Sequence, residues 1–200
     1  MKNTVILLLA IALSGCGTPA FTIKQLDNSF SESKNITHAS EGNRISSKSI
    51  AGGSYIDKDG VYLNPFIEKT TQGETITLGF SIENHTNYNT SFGGVNQLGT
   101  ITKVAFKFED DTLMTFDISN NETNQGDTIN YNSVSKYAGY DVLERGTFSI
   151  TKEQFKRLTT TPLSCKISGT KQSVVYNNDD ISAAFTANLA IFYAKHIEAK

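Results

Sequence analysis

Tryptophan is absent from this 200-residue chain, and cysteine (2), methionine (2), histidine (3) and proline (3) are scarce. Each shortage excludes something. Two cysteines, Cys16 and Cys165, cannot supply paired C-x-x-C zinc ligands or a disulfide framework. The three histidines, His38, His85 and His196, share no ligand spacing such as two residues four apart on one helix face. No metal or cofactor is therefore expected. Neither sign of charge dominates: Lys+Arg 18 stand against Asp+Glu 20, a formal net charge of −2, without a basic block. Nucleic-acid binding needs such a footprint, so no nucleic-acid partner is expected.

Long apolar runs are missing too, with one exception at the start. Lys2 precedes an almost unbroken run from Val5 to Leu13, and Leu13-Ser14-Gly15-Cys16 closes it with small residues before a cysteine. Such a run falls short of the roughly 20 apolar residues that span a bilayer but suits the core of a secretory signal. The closing tetrapeptide resembles the lipobox of bacterial lipoproteins. That resemblance covers residues 1–16 alone and implies a signal peptide over 1–15 and a diacylglycerol on the sulfur of Cys16. Membrane lipid, reached through acylated Cys16, is then the first expected partner, and the cell envelope the expected location. Gly17 stands where an Asp often retains Gram-negative lipoproteins in the inner membrane, so the outer membrane is implied if the source is Gram-negative. A single acyl chain binds marginally at about 0.8 kcal/mol per buried CH₂, whereas two or three anchor a protein this size. The competing reading is an ordinary secretory signal with Cys16 left as a free thiol.

After the signal, residues 16–53 are rich in Ser, Asn, Glu and Lys and poor in apolar side chains. They read as a lipidated cysteine followed by a flexible polar tether, with a coil span of roughly 30–35 Å. Phe21 and Ile23 alternate, which leaves a short docked strand there open.

Residues 54–200 then read as the globular domain. Ile76, Leu78, Phe80 and Ile82 alternate with small or polar residues, the pattern of a strand with one buried face. Thr102 to Phe108 and Met114 to Ile118 repeat it around Glu109-Asp110-Asp111-Thr112, which predicts a hairpin. Ile129 to Tyr140 and Arg145 to Ile150 are further candidate strands, and Leu163 to Ile167 with Ser173 to Tyr176 a last hairpin. An early hairpin is expected from Ser54–Ile56 and Val61–Leu63 around Asp57-Lys58-Asp59-Gly60.

Two helices interrupt this rhythm. Thr151-Lys152-Glu153-Gln154 has the form of a capping box. Phe185, Leu189, Phe192, Tyr193 and His196 recur at helical spacing in the last element, with Asp179 and Asp180 at its expected start. The predicted class is mainly β (α+β): an antiparallel β-sandwich or curved sheet, with a short helix and a C-terminal amphipathic helix packed on it.

Catalytic constellations are sparse. Ser-x-x-Lys matches at Ser31 to Lys34 and at Ser133 to Lys136 fall in the expected tether and on an expected strand, where positions three apart face opposite sides. Cys165 alternates with Leu163 and Ile167, which points it into the core as a small apolar residue. Asp57-Lys58-Asp59-Gly60 lacks the distal glutamate of a calcium loop. Glu109-Asp110-Asp111 reads as a solvated turn, and Asp127 with Asn124 and Gln125 offers at most weak cation contacts. Phe92-Gly93-Gly94 precedes a strand rather than the helix of a phosphate cradle. Tyr88 and Phe92 in that loop either pack at a sheet edge or form a contact surface. No catalytic residue is assigned. A non-enzymatic envelope lipoprotein that binds a protein or glycan is expected first; an envelope enzyme or small-molecule carrier is the alternative.

Overall fold

A computed structural model describes residues 19–26, 35–55, 57–126, 130–134, 137–160 and 163–198. The protein is mostly β, with two antiparallel sheets packed together. In chain order the first strands are β1 (Thr22–Leu26), β2 (Ile36–Glu41), β3 (Gly60–Lys69), β4 (Thr75–Asn89), β5 (Ile101–Phe108) and β6 (Leu113–Asp117). Then come β7 (Ser119–Gln125), β8 (Asn130–Asn132) and β9 (Tyr137–Ser149), helix α1 (Lys152–Thr160), and β10 (Leu163–Gly169) with β11 (Ser173–Tyr176). Helix α2 (Ala183–Phe192) continues into a π-helical turn over Tyr193–Glu198. The larger sheet runs β1-β2-β3-β4-β9-β7, with β8 also paired to β9; the smaller runs β11-β10-β5-β6.

Alternation builds the interior. Val104, Phe106 and Phe108 of β5, and Cys165 and Ile167 of β10, turn buried side chains toward Ile82, Phe80 and Phe148 of the larger sheet. Phe116 stacks on Phe148 at 4.9 Å and so joins the sheets across the core. Phe155 of α1 stacks on Phe80 at 5.1 Å and lies 6.0 Å from Phe192 of α2, which places the helices over the same core. The expected sandwich with its terminal helix is present. Cys165 is fully buried, and burial pushes its thiol well above the ordinary range.

Several expectations need correction. Over its described residues, the segment assigned as a tether is built into the fold. β1 pairs with β2, β2 pairs with β3, and Ile45 is wholly buried in the core. The polar composition misleads because this segment is held by hydrogen bonds more than by apolar burial. Asn43 Nδ2 donates to the Leu63 carbonyl at 2.9 Å, the Asn43 amide donates to Asn64 Oδ1 at 3.0 Å, and Ser40 Oγ donates to the Pro65 carbonyl at 3.1 Å. The folded body therefore starts at β1 and not at residue 54. Residues 16–18 and 27–34 lie outside the described residues.

The hairpin expected at Ser54–Leu63 does not form. Ser54 bridges Lys48, while Tyr62 bridges Arg44 and pairs with Glu83. Ile129 to Tyr140 is not one strand: β8 ends at Asn132 and β9 begins at Tyr137 and runs through to Ser149. Strand β7 is fully exposed and has no apolar residue to announce it. The α1 capping box is as predicted: the Gln154 amide donates to Thr151 Oγ1 at 3.2 Å, and the Thr151 amide donates to Gln154 Oε1 at 2.9 Å. Asp179 and Asp180, by contrast, lie in a separate 3-10 turn, and Ser182 caps α2 by accepting from the Ala184 amide at 3.2 Å.

Candidate functional site

One register row brings together residues that are far apart in sequence. Gly60 pairs with His85, His85 with Leu143, and Leu143 with Asn124. Across this row a cleft of about 260 Å³ opens, lined among others by Lys58, Asp59, His85, Asn124 and Asp141. The turn that delivers Lys58 and Asp59 is pinned from beneath: Arg44 Nη1 donates to the carbonyls of Asp57 and Asp59, each at 3.1 Å. Gly60 adopts a φ of +146°, and a Cβ there would stand 2.6 Å from the Arg44 side chain. Glycine is thus required by both backbone and space.

The polar groups of the cleft are largely paired with one another. Lys58 Nζ bonds Asp141 Oδ2 at 2.6 Å, and this contact raises the lysine pKa. Asn87 Nδ2 donates to Asp59 Oδ2 at 3.0 Å. His85 Nε2 lies 2.9 Å from Glu83 Oε2, and the ring meets Tyr62 edge-on at 5.1 Å. Asp59 is raised above the usual carboxylate range, first by burial and then by the negative charge of Asp141, with Lys58 and His85 opposing. Glu83 is lowered: burial works against its charge, but hydrogen bonds from His85 and Ser81 outweigh it.

A second meeting joins β2 to the chain's last turn. The rings of His38 and His196 lie 4.3 Å apart, and His196 also approaches Phe192 at 5.2 Å. Neither His38 Nδ1 nor His196 Nε2 has a hydrogen-bond partner among the described residues. Burial, then the nearby charges of His38, Lys195 and Lys69, push His196 down from 6.5 to about 4. His38 is lowered by burial and then by Lys69 and Lys195. The folded state thus holds these imidazoles neutral, while the unfolded chain protonates them near pH 6.5. Their contribution to stability is present above that value and is lost as the pH falls toward 4. Between pH 7 and pH 5 the expected loss is about 1–2 kcal/mol, reduced from the dry-site limit by residual solvent contact. His196→Phe should flatten this slope, as read from urea midpoints at the two pH values.

The far end of the larger sheet carries an aromatic surface. Tyr88 and Tyr140 stack at 5.2 Å, and Phe92 in the following loop is 74% exposed. The loop is tightly held. Asn89 and Gly93 exchange backbone hydrogen bonds, Gly93 takes a φ of +65°, and Asn89 Oδ1 accepts from the Ser91 and Phe92 amides at 3.0 and 2.8 Å. Phe92 is therefore presented outward on a fixed loop, while Tyr88 packs against a neighbour.

The residues singled out from the sequence are thus redistributed. His85 lies on β4, His38 on β2 rather than in a tether, and His196 against His38. Among the described residues no group of three or more His, Cys, Asp or Glu side chains could hold a metal ion. Asp110 of the expected solvated turn pairs with Arg157 at 2.6 Å. Cys16, Asp127, Lys136 and the Ser31–Lys34 match lie outside the described residues. Pairing of His38 with His196, and the cleft row itself, were invisible in sequence, because strand register sets both and no local pattern encodes them. Comparison with known proteins finds no match among family models, curated proteins or solved structures.

Proposed function

We propose that the protein is a lipid-anchored module of a bacterial cell envelope that binds its partner without transforming it. The observation that carries the anchor is the apolar run closed by Leu13-Ser14-Gly15-Cys16. No helix among the described residues is long and apolar enough to cross a membrane, so none of them supplies another helical attachment. The pairing inside the cleft supports recognition. Lys58 with Asp141, Asn87 with Asp59 and Glu83 with His85 form a preorganised polar surface suited to a glycan or a polar segment of an envelope protein.

A second reading, an envelope enzyme or small-molecule carrier, is favoured by one feature. Asp59 has a raised pKa beside the His85–Glu83 pair, as an acid catalyst would.

Mass spectrometry of detergent-extracted protein should show an acylated N-terminal Cys16, and Cys16→Ser should leave the chain unprocessed or release it from membranes. An unmodified chain beginning elsewhere overturns the anchor. Soluble peptidoglycan fragments, titrated while the His85 ring is followed by NMR, test the cleft. Shifted signals with fragments recovered intact support binding, cleaved fragments support the enzyme, and unshifted signals remove these glycans as the partner.

A further inference from the structure

We propose that the aromatic end of the larger sheet is a second membrane contact, docking on the same lipid surface that holds Cys16. This rests on the lipid-anchor reading. Chain direction, chain reach and surface chemistry carry it.

Direction comes from the register. β1 runs from Thr22, opposite Glu41, to Leu26, opposite Thr37. Thr37 pairs with Glu68, and Glu68 with Thr77 near the start of β4. β1 therefore points away from Asn89, and the chain before Thr22 heads toward the Asn89 end. Ala20 lies directly against Gly42, where its carbonyl oxygen leaves no room for a Cβ. Pro19 and Phe21 sit beside Arg44, which bridges Tyr62 at the level of Glu83.

Reach follows from covalent geometry. Cys16 precedes Pro19 by three residues, which span at most about 10 Å. Acyl chains on Cys16 would hold Pro19 near the head groups, without the stand-off of a long tether. From Glu83 to Asn89 the strand advances roughly 20 Å toward the aromatic end. A surface drawn so close to Pro19 comes within range of that end.

The chemistry suits a lipid interface. Among residues 88–96, 130–134 and 137–140 none is charged; Lys136, between Val134 and Tyr137 in the sequence, lies outside the described residues. Phe92, Tyr131 and Val134 are 74%, 64% and 92% exposed. Tyr131 pairs with Ala138, whose carbonyl accepts from the Thr90 amide, so these side chains project from one end of the sheet. Aromatic rings favour the boundary between head groups and acyl chains, and a preformed loop needs little ordering to enter it. Because exposed apolar and aromatic side chains carry it, the contact should persist at high salt. Docking there would set the cleft, at His85 on the same strand, close to the head groups.

The test uses the acylated full chain in phosphatidylethanolamine–phosphatidylglycerol vesicles. Cys165 is buried and Cys16 is blocked by acylation, so Phe92→Cys accepts an environment-sensitive fluorophore selectively. Val134→Cys is a second site at the same end, and Gln72→Cys, in the turn at the other end of β4, is the control. Labels at 92 and 134 should shift to the blue and be quenched by spin-labelled lipid several-fold more strongly than the label at 72, at low and high salt alike. Protein that floats with the vesicles while 92 and 134 behave like 72 overturns the proposal and leaves the anchor standing. Quenching abolished by salt overturns the apolar contact. Protein that carries no acyl chain and does not float overturns the anchor reading and this proposal with it.

Discussion

Phe185→Ala is expected to lower unfolding stability by about 3–5 kcal/mol, a large share of the roughly 5–15 kcal/mol typical of a domain. Phe185 is 1% exposed and belongs to the same buried cluster as Leu189, Phe192 and Phe155. Alanine would remove the apolar transfer energy and leave a cavity that two sheets and a helix cannot easily fill. Lys195→Ala, at an exposed position on the last turn, should barely move the midpoint. Urea denaturation of both variants decides it. An unchanged midpoint for Phe185→Ala would mean that the α2 stripe is not part of the core.

The second large effect is expected at Glu144. This carboxylate is 1% exposed, yet it sits on β9 beneath the loop that leads into β5. Its Oε2 accepts from the Leu98 amide at 2.7 Å and from Asn84 Nδ2 at 2.8 Å, and its Oε1 accepts from the Gly99 amide at 2.7 Å. Leu98 itself is wholly buried, so Glu144 ties the larger sheet to the chain that enters the smaller one. Glu144→Ala would strand buried donors, each costing about 1–3 kcal/mol, for a total near 3–5 kcal/mol. Glu144→Gln keeps one acceptor and turns an amide toward an N–H donor, so its loss should be intermediate. Thermal melts give that order, and amide exchange at Leu98 and Gly99 should accelerate in both variants. A stable Glu144→Ala protein would show that the loop is held by packing alone.

Nothing in the local sequence marks Glu144. It follows Asp141, Val142 and Leu143 between the two stretches expected as strands, and its partners come from distant segments. The same limit hid the cleft: Gly60, His85, Leu143 and Asn124 share a row only once three strand pairings are in place. Where burial is apolar and alternating, the sequence was informative. Val104, Phe106 and Phe108, the Thr151–Gln154 capping box and the Phe185–Leu189–Phe192 stripe are all found where their spacing predicts them. Where burial is polar it misled. Ser40, Asn43, Ser46 and Ser49 are buried by hydrogen bonding, and their composition reads as a coil.

Local chemistry, then, was enough for the mainly β class, the capping of α1 and the core face of the last helix, because side-chain periodicity and short-range hydrogen bonds are written into neighbouring residues. The same locality makes the apolar run before Cys16 readable as the basis of the proposed anchor. Tertiary structure alone decided that β1 and β2 belong to the folded body, that His38 meets His196, and that the chain entering β1 faces the same end as Phe92. These depend on register between strands distant in sequence. Register is set by the combined burial and backbone pairing of the whole sheet, to which no single segment holds the key.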